Sequence, residues 1–163
     1  MAANPIFFSA DLQNSFFAFI DAASEQTGFF DKPDPLWAFG YGLSYTNFKY
    51  RSCTLTDSVV AADGTIQVEV EVENTGARDG KELVQLYIRD KVSSVATPVM
   101  QLKAFKKELI KAGKTARIKL EVPVAELGLY NDKMQYVVEP GEFDIQVGSS
   151  CDNIAFHKTL LVK

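Results

Sequence analysis

The chain has 163 residues, 47% of them hydrophobic and 23% charged, with a net charge of −4 at neutral pH. That is the size and balance of one globular domain, which buries roughly 68–70% of its unfolded surface and needs neither disulfide nor metal to stand. The acidic balance argues against nucleic acid, since phosphate binding needs clustered Lys and Arg, and no apolar run approaches the ~18–20 residues of a membrane helix. The first residues, MAANPIFFSADLQNSFF, lack a basic n-region and carry Asp11. They do not read as a secretory signal peptide, and the compartment stays open.

Residues 1–34 differ in character from the rest. Leu12, Phe16, Phe19, Ile20 and Ala23 recur at helical spacing and predict one amphipathic helix from about Ala10 to Glu25, capped by Ser9 or Asp11. Gly28 ends it, and Asp31-Lys32-Pro33-Asp34-Pro35 is a loop. Seven phenylalanines fall before Asp31. A segment that apolar packs on something: the open edge or end of its own domain, or another chain, including a second copy. The first is the simpler reading.

From Tyr45 onward the pattern is β. Thr65 to Glu73 alternates, with Ile66, Val68, Val70 and Val72 on one face and Gln67, Glu69, Glu71 and Glu73 on the other, as a half-buried antiparallel strand requires. Asn74-Thr75-Gly76 turns the chain. Lys81 to Asp90 is apolar on both faces and predicts a central strand. Met100 to Ile110 and Lys114 to Val122 follow, joined at Ala112-Gly113, with Ala116, Ile118, Leu120 and Val122 inward and Arg117, Lys119 and Glu121 outward. Val124 to Leu127 reads as a short helical turn. Leu129-Tyr130 and Met134 to Val138 flank a hairpin-like turn at Asn131-Asp132-Lys133. After the turn signal Pro140-Gly141, Glu142 to Gly148 and Ile154 to Val162 close the set. About seven short strands with frequent turns predict an all-β, immunoglobulin or fibronectin type III-like antiparallel sandwich of two sheets over 35–163, with a helical extension over 1–34. Most tyrosines are expected to alternate into its core.

The residues carry little that points to chemistry. Acid–base chemistry by a carboxyl pair needs two carboxyl groups held close together in a cleft. Glu69, Glu71 and Glu73 sit on the solvent face of an alternating strand. Glu126, Asp132, Glu139 and Glu142 fall in turns, where acids are common for local reasons. Ser44 in G-Y-G-L-S-Y lacks the second glycine of a nucleophile elbow. His157 is the sole histidine, and with only Cys53 and Cys151 beside it a zinc site is not expected. The two cysteines pair only if their strands are neighbours; otherwise they are small buried apolar residues. No catalytic residue, cofactor site or metal site is assigned.

Four stretches, in order, resemble one family. Pro35 to Tyr50, PLWAFGYGLSYTNFKY, is similar to the hinge P-L-[FW]-x-F-G-[YH]-G-L-S-Y-T that precedes the last domain of glycoside hydrolase family 3 enzymes, the β-glucosidase and β-xylosidase group. Val70 to Asp90, VEVENTGARDGKELVQLYIRD, resembles the family's second and third sandwich strands. Pro98 to Phe105 with Lys111-Ala112-Gly113-Lys114 resembles its L-x-x-F-x-K…L-x-x-G stretch. Met134 to Ser150, MQYVVEPGEFDIQVGSS, resembles its W-x-V-E-P-G signature, with Met134-Gln135-Tyr136 where a tryptophan is common.

The resemblance implies a fibronectin type III-like module that does no sugar chemistry itself. The family's barrel supplies the nucleophile and an α/β sandwich often the acid/base; both are too large to fit before Pro35. The expected role is accessory: bracing catalytic domains, in cis or as a separate chain, with the longest irregular stretch, Lys91 to Pro98, as a loop for the active-site rim. Trp37, Phe39, Gly40, Tyr41, Gly42 and Tyr45 are the candidate interface, with glycines allowing positive φ or close approach and aromatics anchoring a seam between domains. The alternative is a free-standing carbohydrate-binding module, in which these aromatics form a sugar platform.

Overall fold

The computed structural model describes residues 35–163. The helix expected between Ala10 and Glu25, and the phenylalanines before Asp31, lie outside the described residues. Ala38–Lys163 forms one compact unit.

Ten β segments run in order: β1 (Phe48–Leu55), β2 (Val59–Val60), β3 (Thr65–Asn74), β4 (Gly80–Asp90), β5 (Gln101–Ile110), β6 (Thr115–Pro123), β7 (Leu129–Tyr130), β8 (Tyr136–Val137), β9 (Gly141–Ser150) and β10 (Asn153–Val162). Among the described residues seven of them have eight or more residues, and these are the seven sandwich strands. A 3₁₀ turn spans Val124–Leu127, the predicted corner. The strands form a three-stranded sheet, β1-β3-β6, and a five-stranded sheet, β2-β10-β9-β4-β5; β7 and β8 pair alone as a small hairpin. The chain crosses between sheets at β1–β2, β2–β3, β3–β4 and β5–β6 and again between β6 and β9, which is how a sandwich closes over one core.

Period-two patterning makes that core. Ile66, Val68, Val70 and Val72 of β3 meet Ile118, Leu120 and Val122 of β6 in register, and all are buried. From the other sheet come Val84, Leu86 and Ile88 of β4, Phe143, Ile145 and Val147 of β9, and Leu160 and Val162 of β10. Each β-branched residue fits the pleat and contributes roughly 1.5–3 kcal/mol when fully buried.

The seven long strands pair antiparallel, as expected. One short addition and two corrections stand beside them: β2 runs parallel to β10, with Val59 opposite Leu161 and Val60 opposite Val162. The bonds there are Leu161 N–H to Ser58 C=O (2.9 Å), Lys163 N–H to Val60 C=O (3.0 Å) and Ala62 N–H to Lys163 C=O (3.2 Å). Most tyrosines do not enter the core. Tyr41, Tyr45, Tyr130 and Tyr136 are exposed, because the first two precede the strands and the last two sit on a two-residue hairpin that pairs with neither sheet. Finally, β4 is interior, as predicted, but it is not apolar on both faces: Gln85 and Tyr87 point away from the core.

Cys53 and Cys151 are free. Cys53 lies buried on β1, where burial pushes its thiol pKa up and nearby Lys158 pulls it partly back. Cys151 is in the tight β9–β10 turn of the other sheet.

Candidate functional site

The leader, residues 38–47, reaches β1 by way of two polar latches. The first is on the outer face of the five-stranded sheet. Alternation along β4 sends Val84, Leu86 and Ile88 inward and Gln85 and Tyr87 outward, yet Gln85 is only 1% exposed and Tyr87 2%. Gln85 Nε2 donates to the carbonyl of Gly40 (3.0 Å) and to that of Ser149. Its Oε1 accepts from the Tyr87 hydroxyl (2.6 Å). The Cys151 amide donates to the Phe39 carbonyl (3.0 Å). A buried amide with its groups answered rigidifies what it touches. Tyr87's phenol is pushed up to about 12, chiefly by burial, then by the electrostatic influence of nearby Cys151 and Asp152; it stays a neutral donor.

Gly40 makes this approach feasible. Its φ is +82°, and a Cβ there would stand 2.2 Å from Gln85 Oε1. Both uses of glycine, a left-handed backbone and close contact, meet at this residue. Gly42 has neither: its φ is not positive and the space beside it is open.

The second latch is the turn between β3 and β4. Asn74 is buried, and its side chain makes four hydrogen bonds: Oδ1 accepts from Thr46 Oγ1 (2.7 Å) and the Gly76 amide (3.0 Å), while Nδ2 donates to the carbonyls of Arg78 (2.7 Å) and Ile110 (2.9 Å). Its own amide donates to Lys114 C=O, and its carbonyl accepts from Gly113 N–H (2.9 Å each). One residue thus joins the leader, the β3–β4 turn and the β5–β6 turn. The Thr75 amide donates to Asn47 C=O (2.8 Å) beside it. Gly76 and Gly80 leave room for Thr46, whose Oγ1 and Cγ2 would lie 2.1 and 2.5 Å from their added Cβ atoms.

Between the latches the leader faces outward, with Leu43 86% and Tyr45 94% exposed. Phe39 and Tyr41 are exposed to a lesser degree, and Trp37 lies before the compact unit. So the six residues singled out in the sequence divide. Gly40 is a contact point, Phe39 contributes a backbone carbonyl, and Tyr45 presents its ring to the outside. The side chains that hold the segment are Gln85, Tyr87, Thr46 and Asn74, which the sequence reading passed over. Gln85 had a signal, a lone amide in an apolar strand; Asn74 looked like any turn residue.

The opposite end of the sandwich gathers the loop 91–100, the 3₁₀ turn and the β7–β8 hairpin. A shallow cleft there is lined by Asp90, Thr97, Gln101, Lys103 and Leu129. Lys103 Nζ donates to Glu126 C=O (2.7 Å), and the Tyr136 hydroxyl to Ala125 C=O (2.9 Å). The rings of Tyr130 and Tyr136 are 5.3 Å apart and inclined at 63°. Met134, 79% exposed, has φ +59° in the turn tied by Asn131.

The carboxylates expected on a solvent face are occupied. Register sets Glu69 opposite Lys119 (3.6 Å) and Glu71 opposite Arg117 (2.8 Å), and Glu73 pairs with Arg51, the bulged residue of β1. Ser52 first, then Arg117, holds the Glu71 carboxyl below its usual range. These exposed pairs contribute little each. His157 Nδ1 lies 3.3 Å from Asp144 on the outer sheet face. Among the described residues no group of three or more His, Cys, Asp or Glu is arranged to hold a metal ion.

The model of the fibronectin type III-like domain matches residues 82–151. The chain is 45% identical over 132 residues to a β-xylosidase from Formosa agariphila, covering 81% of this chain and 18% of that protein. It is 39% identical over 121 residues to a periplasmic β-glucosidase from Salmonella typhimurium, covering 74% and 16%. The fold matches β-glucosidase 3B from Thermotoga neapolitana, solved with α-D-glucose, at a TM-score of 0.72 and 37% identity over 79% of this chain and 18% of that one. The chain therefore spans less than a fifth of the length of these relatives. The sandwich with its latched leader is a fibronectin type III-like domain of the kind carried by glycoside hydrolase family 3 β-glucosidases and β-xylosidases.

Proposed function

We propose that the chain is a non-catalytic accessory domain of a family 3 glycoside hydrolase, with 35–163 as the domain and 1–34 as an extension of it. It braces the catalytic domains, in cis or as a separate chain, and its loop Lys91–Pro98 lies at the rim of their active site. The observation that carries this reading is the double latch. A leader fixed at Gly40 and again at Thr46 is suited to passing position on to whatever adjoins it, since each latch uses buried, fully bonded amides. The leader's exposed Phe39, Leu43 and Tyr45 suit a seam, because contiguous exposed apolar groups mark interaction surfaces.

Deleting the residues equivalent to 35–163 from a parent enzyme tests it. Thermal stability and turnover should both fall; if both are unchanged, the bracing role is wrong.

A second reading, a carbohydrate-binding module, gains from the exposure of Tyr130 and Tyr136. Against it, rings inclined at 63° are not a flat platform, whereas a pyranose stacks on an aromatic face. Titrating the chain's intrinsic fluorescence with soluble glucans separates the two: saturation at millimolar sugar favours the module, a flat response the brace.

A further inference from the structure

We infer that Glu139, in the V-E-P-G turn before β9, is the positioning residue that holds the loop between β4 and β5 in its presented form. The loop's ten residues, 91–100, are the longest break between consecutive strands. A loop of that length without secondary structure samples many shapes unless something ties it. Its base is tied at Lys91, whose amide donates to Glu142 C=O (3.1 Å) and whose Nζ pairs with the Glu142 carboxylate (3.0 Å). Asp90 Oδ1 then accepts from the Val92 amide (3.0 Å), turning the chain outward.

Beyond that point, among the described residues, the tie to the rest of the sandwich is Glu139. Its Oε2 accepts from the Ser94 amide (3.0 Å) and its Oε1 from the Ser94 hydroxyl. A carboxylate gripping both donors of one residue fixes that residue in place and in orientation. The same two bonds, hydroxyl first, hold the Glu139 carboxyl below its usual range, so it is ionised and grips at neutral pH. Pro140 aims it: the residue before a proline is kept extended, which fixes the backbone from which Glu139 projects. Past Ser94, Thr97 lines the cleft with Asp90, Gln101 and Lys103, and Val99 stands exposed, as Val92 does before it. The E-P-G motif thus has a mechanical reading. Glu grips the neighbouring loop, Pro aims the grip, and Gly141 begins β9.

That the held loop serves a sugar site rests on the accessory-domain reading above; the grip itself does not. Amide hydrogen exchange of the full chain, read residue by residue by NMR, tests the grip alone. In Glu139→Ala the Ser94 amide should exchange about tenfold faster, the loss of one charge-assisted bond, while Leu86 and Val147 in the core keep their rates. In Ser94→Ala the amide bond to Oε2 survives, so residue 94 should keep most of its protection. Glu139→Gln, which retains an acceptor, should fall between. If the Ser94 amide is as fast in the wild type as in Glu139→Ala, or if the core amides accelerate with it, the inference is overturned. Failure of the parent-enzyme deletion would remove the rim role and leave these rates untouched, so the two failures are distinguishable.

Discussion

The two ends of the sandwich are held by opposite means. At the leader end the ties are buried amides, Asn74 and Gln85, which reach three or four partners each across distant parts of the chain. At the far end they are carboxylates at the surface, Glu139 and Glu142, each gripping a nearby loop. A buried amide costs its full desolvation when a partner is lost, whereas a surface carboxylate hands its bonds to water. The leader end is therefore coupled to global stability, and the loop end can change shape while the core stands.

Asn74→Ala should break the leader end most severely. It orphans the Thr46 hydroxyl, the Gly76 amide and two carbonyls, a loss of about 3–5 kcal/mol in a denaturant melt. A loss under about 1 kcal/mol would mean that water replaces the hub and the contrast is illusory. Gly40→Ala comes next, at about 1–3 kcal/mol, from a strained backbone and contact with Gln85. Combined with Gln85→Ala it should be less than additive by more than about 0.5 kcal/mol, because the contact disappears with the amide. At the loop end, Glu139→Ala should leave the melting transition in place, in keeping with the local exchange change described above.

The smallest effect sharpens the comparison through pH. Glu82, bonded by the Tyr50 hydroxyl (2.9 Å) between the sheets, has its carboxyl pushed up by burial, with that bond pulling partly the other way. A raised folded pKa adds stability that is complete below the unfolded value of about 4.3 and fades as pH climbs through the folded one. Glu82→Gln should therefore be slightly more stable than the wild type at neutral pH, with the gap closing below pH of about 4. A gap that widens on acidification would reverse the sign and refute burial as the cause.

How much of this was legible in the sequence follows from the range of each interaction. Alternation fixed the faces of β3 and β6, since Val68, Val70, Ile118 and Leu120 need only their own strand to choose a side. The 3₁₀ turn at Val124–Leu127 was equally local. The hub at Asn74 was not, because its partners Thr46 and Ile110 lie 28 and 36 residues away and become neighbours only when both sheets exist. Gln85 stood out as a lone amide in an apolar strand, but its partners Gly40 and Ser149 lie 45 and 64 residues away. The tyrosines misled for the converse reason: aromatic residues in β-like sequence suggest a core, but Tyr130 and Tyr136 belong to two-residue strands that pair only with each other.

The parallel pairing of β2 with β10 also decides how the domain responds to tension. Pull the start of β2 and the end of β10 apart, and these two segments slide along one another. The bonds from Leu161, Lys163 and Ala62 lie across that direction, so they share the load and must give way together. Lifetime under force is set by the unfolding barrier and not by equilibrium stability. A patch of only two residues per strand thereby resists shear between the start of β2 and the end of β10.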